Sequence, residues 1–169
     1  MIKNGLKFAL PAGVIAVMCM LNGCWWYKFS GTSIPPSVRT VSIAYIDNKA
    51  MLVYPALSNL ITEKLKEKYI KMTRLTLVDE EGDFSFEGDI TGYENTTMGF
   101  TADEVGALNR LTITVKINFK SEEKSWEKSF SKFEDYSSEK SLSEVEAGLV
   151  DRIVEELVEE IFNATAADW

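Results

Sequence analysis

Apolar and polar positions alternate most cleanly between Leu111 and Phe119. Leu111, Ile113, Val115, Ile117 and Phe119 interleave with Thr112, Thr114, Lys116 and Asn118. A period of two puts the first set on one face of a strand and the second on the other, so the stretch predicts a half-buried β-strand. Phe84 to Tyr93 repeats the pattern: Phe84, Phe86, Gly88, Ile90 and Gly92 take the inner parity, and Ser85, Glu87, Asp89, Thr91 and Tyr93 the outer. In Val38 to Ile46, Val41, Ile43 and Tyr45 alternate with Thr40, Ser42 and Ala44 until Asp47-Asn48 breaks the run. Leu75 and Leu77 mark a short strand before an acidic turn. Trp126 to Tyr136 is the last predicted strand; its parity slips between Phe130 and Phe133, the signature of a bulge or a strongly twisted edge.

Two stretches change period. Leu57, Leu60, Ile61, Leu65, Tyr69 and Met72 follow at helical spacing, with Pro55 at the first helical position, so a helix is expected over roughly Pro55 to Met72. Glu67 and Lys71 stand one turn apart on its wet side. A second helix is expected from Ser141 or Ser143, each followed three residues on by Glu (Glu144, Glu146) in the capping-box pattern. Its inner stripe is Leu142, Val145, Leu149, Ile153, Leu157 and Ile161, and its acidic outer face reads as a solvated surface. Strand, helix, strands, helix, each strand with one apolar face, predicts an α+β two-layer sandwich. Two helices would pack on one face of a mostly antiparallel or mixed sheet.

The N-terminus is of another kind. Lys3 and Lys7 precede an apolar run, Phe8 to Leu21, that ends in Leu21-Asn22-Gly23-Cys24. The run is shorter than the roughly 20 residues a membrane-spanning helix needs, and Pro11 and Gly13 interrupt it. This is the layout of a secretory signal peptide over residues 1–23, and its end resembles a lipobox. Cys24 is then the expected site of lipid attachment, with palmitate-type acyl chains on the cleaved chain. The other cysteine, Cys19, leaves with the signal, so neither a disulfide framework nor Cys catalysis is expected. Residues 24–37, closed by Pro35-Pro36, read as a semi-rigid tether, and residues 38–169 as a single domain.

Charge and composition narrow the function. The chain carries −8, and losing a signal with two lysines and no acid makes the remainder more acidic. Such a chain is poorly suited to nucleic acid, whose recognition rests on basic patches. It has no His, which removes the commonest general base and the commonest metal ligand. Glu80-Glu81 and Asp103-Glu104 are paired carboxylates without a helper His or a Gly-rich cradle. Neither an enzyme, a metal site nor a cofactor is expected.

Phe29-Ser30-Gly31-Thr32-Ser33-Ile34-Pro35-Pro36, soon after the lipobox, resembles the start of the lipopolysaccharide-assembly lipoproteins of the LptE family. So do Phe86-Glu87-Gly88-Asp89-Ile90-Thr91-Gly92-Tyr93 and Ala107 to Val115, and the element order with a long closing helix ahead of Trp169. Trp25-Trp26 after the Cys departs from the Gly expected there. The resemblance implies a lipoprotein at the periplasmic side of the outer membrane that supports folding of the LptD β-barrel. With LptD it would place lipopolysaccharide in the outer leaflet, binding lipopolysaccharide directly and catalysing no covalent step. Trp25, where an inner-membrane retention signal would carry Asp, fits outer-membrane delivery. The alternative is a free-standing lipoprotein holding a small amphiphile in its own pocket.

Two cations are candidates for contact with lipopolysaccharide phosphates. Arg110 and Lys116 share the polar parity of one strand and would engage one head group together, aided by Lys120. The competing expectation is a solvated face paired with Glu87 or Asp89. Asn95 to Leu108 is longer than a hairpin loop, and carries Met98, Phe100, Val105 and Leu108. It would either press against the barrel or lipid, or fold back over its own sheet edge.

Overall fold

The computed structural model of the chain describes residues 34–52, 54–98 and 107–166. They form β1 (Thr40–Ile43), β2 (Asp47–Asn48), α1 (Leu57–Met72), β3 (Thr76–Val78), β4 (Phe84–Met98), β5 (Leu108–Lys120), β6 (Ser125–Ser137) and α2 (Leu142–Ala166). The sheet order is β3-β1-β4-β5-β6, and β2 pairs with β4. β1 is parallel to both of its neighbours, whereas β4, β5 and β6 form an antiparallel meander. Two helices packed against this mixed sheet make the α+β sandwich that the alternating and helical periods predict.

The core sits between helices and sheet. Leu111, Ile113, Val115 and Ile117 are fully buried on β5, in one core with Leu57, Ile61 and Leu65 of α1 and Ile153, Leu157 and Ile161 of α2. Each such side chain stabilises the fold by ~1.5–3 kcal/mol relative to exposure. Tyr69 joins the layers: its ring packs on Phe86 and Phe162, with centroids 5.1 Å away in both cases. Its hydroxyl bonds the Thr165 hydroxyl, and burial pushes its pKa well up. At the start of α2, the Glu144 carboxylate accepts from the Ser141 N–H and from the Ser141 hydroxyl, each at 2.7 Å. This is the reaching-back half of the expected capping box. Glu67 and Lys71 form the expected ion pair.

Several local expectations are corrected. A bulge lies in β4, between Ile90 and Gly92, not in β6. The extra residue, Thr91, reverses the parity beyond it, so Tyr93 turns inward to 5% exposure opposite Ile113. β6 keeps an unbroken register with β5; Phe130 points inward and Phe133 outward. Asp47-Asn48 does not simply end a strand but forms β2. Tyr45 is 56% exposed, because β1 ends at Ile43 and the chain turns Ile46 inward instead. The Ile46 N–H donates to Thr62 Oγ1 of α1 at 3.1 Å. α1 starts at Leu57, with Pro55 in the preceding turn, and leaves Met72 exposed. Its buried face takes in Ser58 and Thr62, whose hydroxyl donates to the Ser58 carbonyl. The α2 stripe is broader than expected, adding Val150, Val154, Val158 and Phe162. The stretch from Asn95 is strand through Met98, and strand resumes at Leu108. Most of its centre lies outside the described residues.

Ile34, at the end of the stretch read as a tether, is buried against the core. One Arg74 nitrogen donates to the Ile34 and Pro35 carbonyls at 2.9 and 2.8 Å. The entering chain is thereby fixed beside the end of α1. No helix among the described residues is long and apolar enough to cross a membrane.

Candidate functional site

The polar parity of β5 faces away from the helices. There Arg110, Thr114, Lys116 and Asn118 stand opposite Asp135, Ser131, Ser129 and Glu127 of β6. Arg110 reaches across: Nε and Nη2 donate to the two Asp135 carboxylate oxygens at 2.7 and 2.9 Å. The same guanidinium lies 3.6 Å from the Phe133 ring centroid. A planar fork matches a carboxylate bidentately and stacks on an aromatic face at once, which an ammonium does not. The Arg110 hydrogen bonds hold the Asp135 carboxyl below its usual range, and Asp135 in turn raises Arg110.

Lys116 makes an ion pair with Glu127 at 2.6 Å. Its neighbour across β4 is Asp89, but Asp89 is held by Lys49 at 2.8 Å. Arg110 and Lys116 thus both face outward, as the alternation predicts, and each has an acid. The acids come from β6, not from Glu87 or Asp89. The two cations are six residues apart, about 20 Å along a strand, too far to grip one phosphate together. The periodicity alone does not identify Phe133, Asp135 and Glu127 as members of this face. The parity slip at Phe133 was the signal: an outward aromatic that looked like a strand defect is the platform under Arg110.

The opposite end of the sheet is shaped by a crossover. The chain leaves β3, passes over β1 and enters β4 on the far side, within residues 79–83. Asp83 anchors it: its carboxylate accepts from the Arg39 and Thr40 N–H groups at 2.7 and 3.0 Å, and these bonds lower its pKa. The Asp83 N–H returns a bond to Thr40 Oγ1 at 2.9 Å, and the Gly82 N–H donates to Ser42 Oγ at 3.2 Å. Ser42 has the outer parity yet is 4% exposed, because this crossover covers it. Glu81, in the same turn, takes the left-handed conformation with φ 53°. Its carboxylate pair with Glu80 therefore belongs to a structural turn.

Where the sheet outreaches α1, its inner face becomes polar and aromatic. The Tyr93 hydroxyl donates to Glu146 Oε1 at 2.5 Å, and burial with that carboxylate pushes its pKa far up. The Tyr136 hydroxyl donates to Asn95 Oδ1 at 2.9 Å. Cys24 and Asp103-Glu104 lie outside the described residues. Among the described residues no group of three or more His, Cys, Asp or Glu could hold a metal ion.

Solved structures share this arrangement at low identity. A Xanthomonas campestris protein superposes with TM-score 0.55 at 10% identity, over 80% of this chain and 90% of that one. A minor lipoprotein from Acinetobacter baumannii gives 0.50 at 11%, over 79% and 95%. An uncharacterized lipoprotein B from Nitrosomonas europaea gives 0.50 at 14%, over 77% and 83%. These likenesses concern the fold alone. No curated protein sequence matches the chain. The model of the lipopolysaccharide-assembly family LptE matches residues 38–165, from ahead of β1 almost to the end of α2, and the chain belongs to that family.

Proposed function

We propose that this protein is an outer-membrane lipoprotein, acylated at Cys24 after removal of residues 1–23, that supports folding of the LptD barrel. With that barrel it would assist insertion of lipopolysaccharide into the outer leaflet. Family membership supports a role in lipopolysaccharide assembly. The observation that carries the finer reading is the outer sheet face, which is polar and largely neutralised within itself by Arg110–Asp135, Lys116–Glu127 and Lys49–Asp89. Large barrels have polar interiors, and such a face suits one better than it suits a lipid surface. The inner face is filled by its own helices, which weighs against a free-standing carrier with a wide apolar pocket. Contact between lipopolysaccharide and Arg110 or Lys116 would proceed by exchange of Asp135 and Glu127 for phosphates.

Depletion tests this. Folded LptD should fall and cells should become sensitive to large apolar antibiotics, and detergent extracts should yield the two proteins together. Normal barrel levels and permeability would favour the free-standing carrier. Cys24→Ala should lose fatty-acid labelling; full labelling would overturn the anchor.

A further inference from the structure

The lower end of the outer sheet face, where the chain enters the domain, holds a cleft of about 250 Å³. Ser37 and Val38 form one wall, the crossover residues Gly82 and Asp83 another, and Ser85, Lys120 and the β5–β6 turn at Ser121 to Glu123 the rest. Ser85 and Lys120 are directly opposed in register, so both project from the same face.

The cleft rim carries charged side chains that the ion pairs of the neighbouring surface leave over. Lys49, Lys64, Lys66, Lys68, Lys71, Arg110, Lys116, Lys132 and Arg152 are all committed to acids. Among the described residues the Lys120 side chain forms no ion pair or hydrogen bond, and neither does the Glu122 or Glu123 side chain. Asp83 is spent on the Arg39 and Thr40 amides, and the Ser121 hydroxyl on the backbone of Lys124. What remains available is an ammonium flanked by the Ser37 and Ser85 hydroxyls, and two carboxylates on the same rim. That is the complement of a zwitterion: a phosphate for Lys120 and the hydroxyls, an ammonium for Glu122 and Glu123.

The position says which zwitterion. Ser37 lies three residues after Ile34, where the segment from Cys24 joins the core. Ten residues at no more than about 3.5 Å each bring Cys24 within roughly 35 Å of Ile34. We infer that the cleft docks the headgroup of an ethanolamine phospholipid from the leaflet that holds the acyl chains of Cys24. This rests on the proposed lipid anchor. The second attachment would fix the orientation of the domain, with the crossover end toward the bilayer and the β4–β5 hairpin tip away from it. A single flexible tether would leave that orientation free.

The test uses the chain from residue 24 onward, carrying Cys24→Ser and no acyl group. It is titrated with a soluble short-chain phosphatidylethanolamine and followed by amide chemical shifts. Shifts should concentrate at Ser37, Ser85 and Lys120 to Glu123. Lys120→Glu should weaken binding by about tenfold, the loss of one charge-assisted contact, with an unchanged thermal midpoint. No saturable shifts at the cleft, or equal binding by Lys120→Glu, would overturn the proposal. So would equal binding of inorganic phosphate or short-chain phosphatidylglycerol, since neither carries the ammonium. Acylation of Cys24 plays no part in this titration. Failure of the anchor reading is seen separately, as absent fatty-acid labelling.

Discussion

Gly82 lies backbone to backbone on Ser42. A Cβ at position 82 would stand 2.7 Å from the Val41 carbonyl carbon and closer still to the Ser42 nitrogen. The obstacle is main chain in the middle of a paired strand, so it cannot swing aside as a side chain would. Gly82→Ala should destabilise the domain by about 1–3 kcal/mol, the range for forced overpacking. Urea unfolding at neutral pH checks this, and an unchanged midpoint would mean the crossover lifts off β1 without cost.

Asp83 pins the same crossover electrostatically. Its carboxyl pKa is lowered first by the Arg39 and Thr40 amide bonds. A depressed folded pKa means that the unfolded chain takes up the proton first as pH falls. The stabilisation is present above the ordinary carboxylate value of about 4 and drains away below it. Asp83→Asn should lower the urea midpoint at pH 7 and flatten its decline under acid. Parallel acid profiles for parent and variant would remove Asp83 from this role.

Ile113 and its neighbour Thr114 test the two faces of β5. Ile113 is fully buried, whereas Thr114 is partly exposed and shares a hydroxyl contact of 3.0 Å with Ser131. Ile113→Asp would bury an unpaired charge and should prevent stable folding. Thr114→Asp should cost only about 1 kcal/mol, through the lost hydroxyl contact. Circular dichroism melts separate the two outcomes, and equal damage would show that something covers the outer face.

Arg110 and Lys116 should behave differently from each other. Arg110→Lys keeps the charge but loses the fork and the stack on Phe133. It should lower the thermal midpoint, while Lys116→Ala, in a more exposed pair, should scarcely move it. If lipopolysaccharide phosphates displace Asp135 and Glu127, reversing both charges should weaken binding and reduce its salt dependence. Binding equal to the parent at low salt would leave the two cations as internal braces.

The sequence showed those elements whose local pattern survives in the fold. The alternation of β5 translates directly into alternate burial, and Ser141 with Glu144 marks the start of α2 because a cap is a local bond. The features it concealed depend on distant chain. Thr91 is a bulge only because β5 has no residue to match it, and Gly92, lacking a side chain, gave no sign of which face it joined. Tyr93 therefore looked solvent-facing when it is buried against Ile113 and Glu146. Ser42 looked exposed because a crossover forty residues later covers it. On the candidate face, the alternation put Arg110 and Lys116 on the outer side. Asp135 and Glu127 could be paired with them only once the β5–β6 register was known.

The place of β1 inside the sheet has a consequence for the order of folding. A chain made from its N-terminus presents β1 first, yet both of its partners come later: Val41 pairs with Leu77 on one side and Phe84 on the other. The β4–β5–β6 meander needs only neighbouring chain, and contacts close in sequence form fastest. The meander is therefore the expected nucleus, and β1 adds late, to the edge that β4 already offers, with β3 closing on its other side. Ile113→Val should slow refolding, while Val41→Ala should chiefly hasten unfolding. A protein built this way becomes rigid first in the β4–β5–β6 meander, and its N-terminal strand is the last part to set.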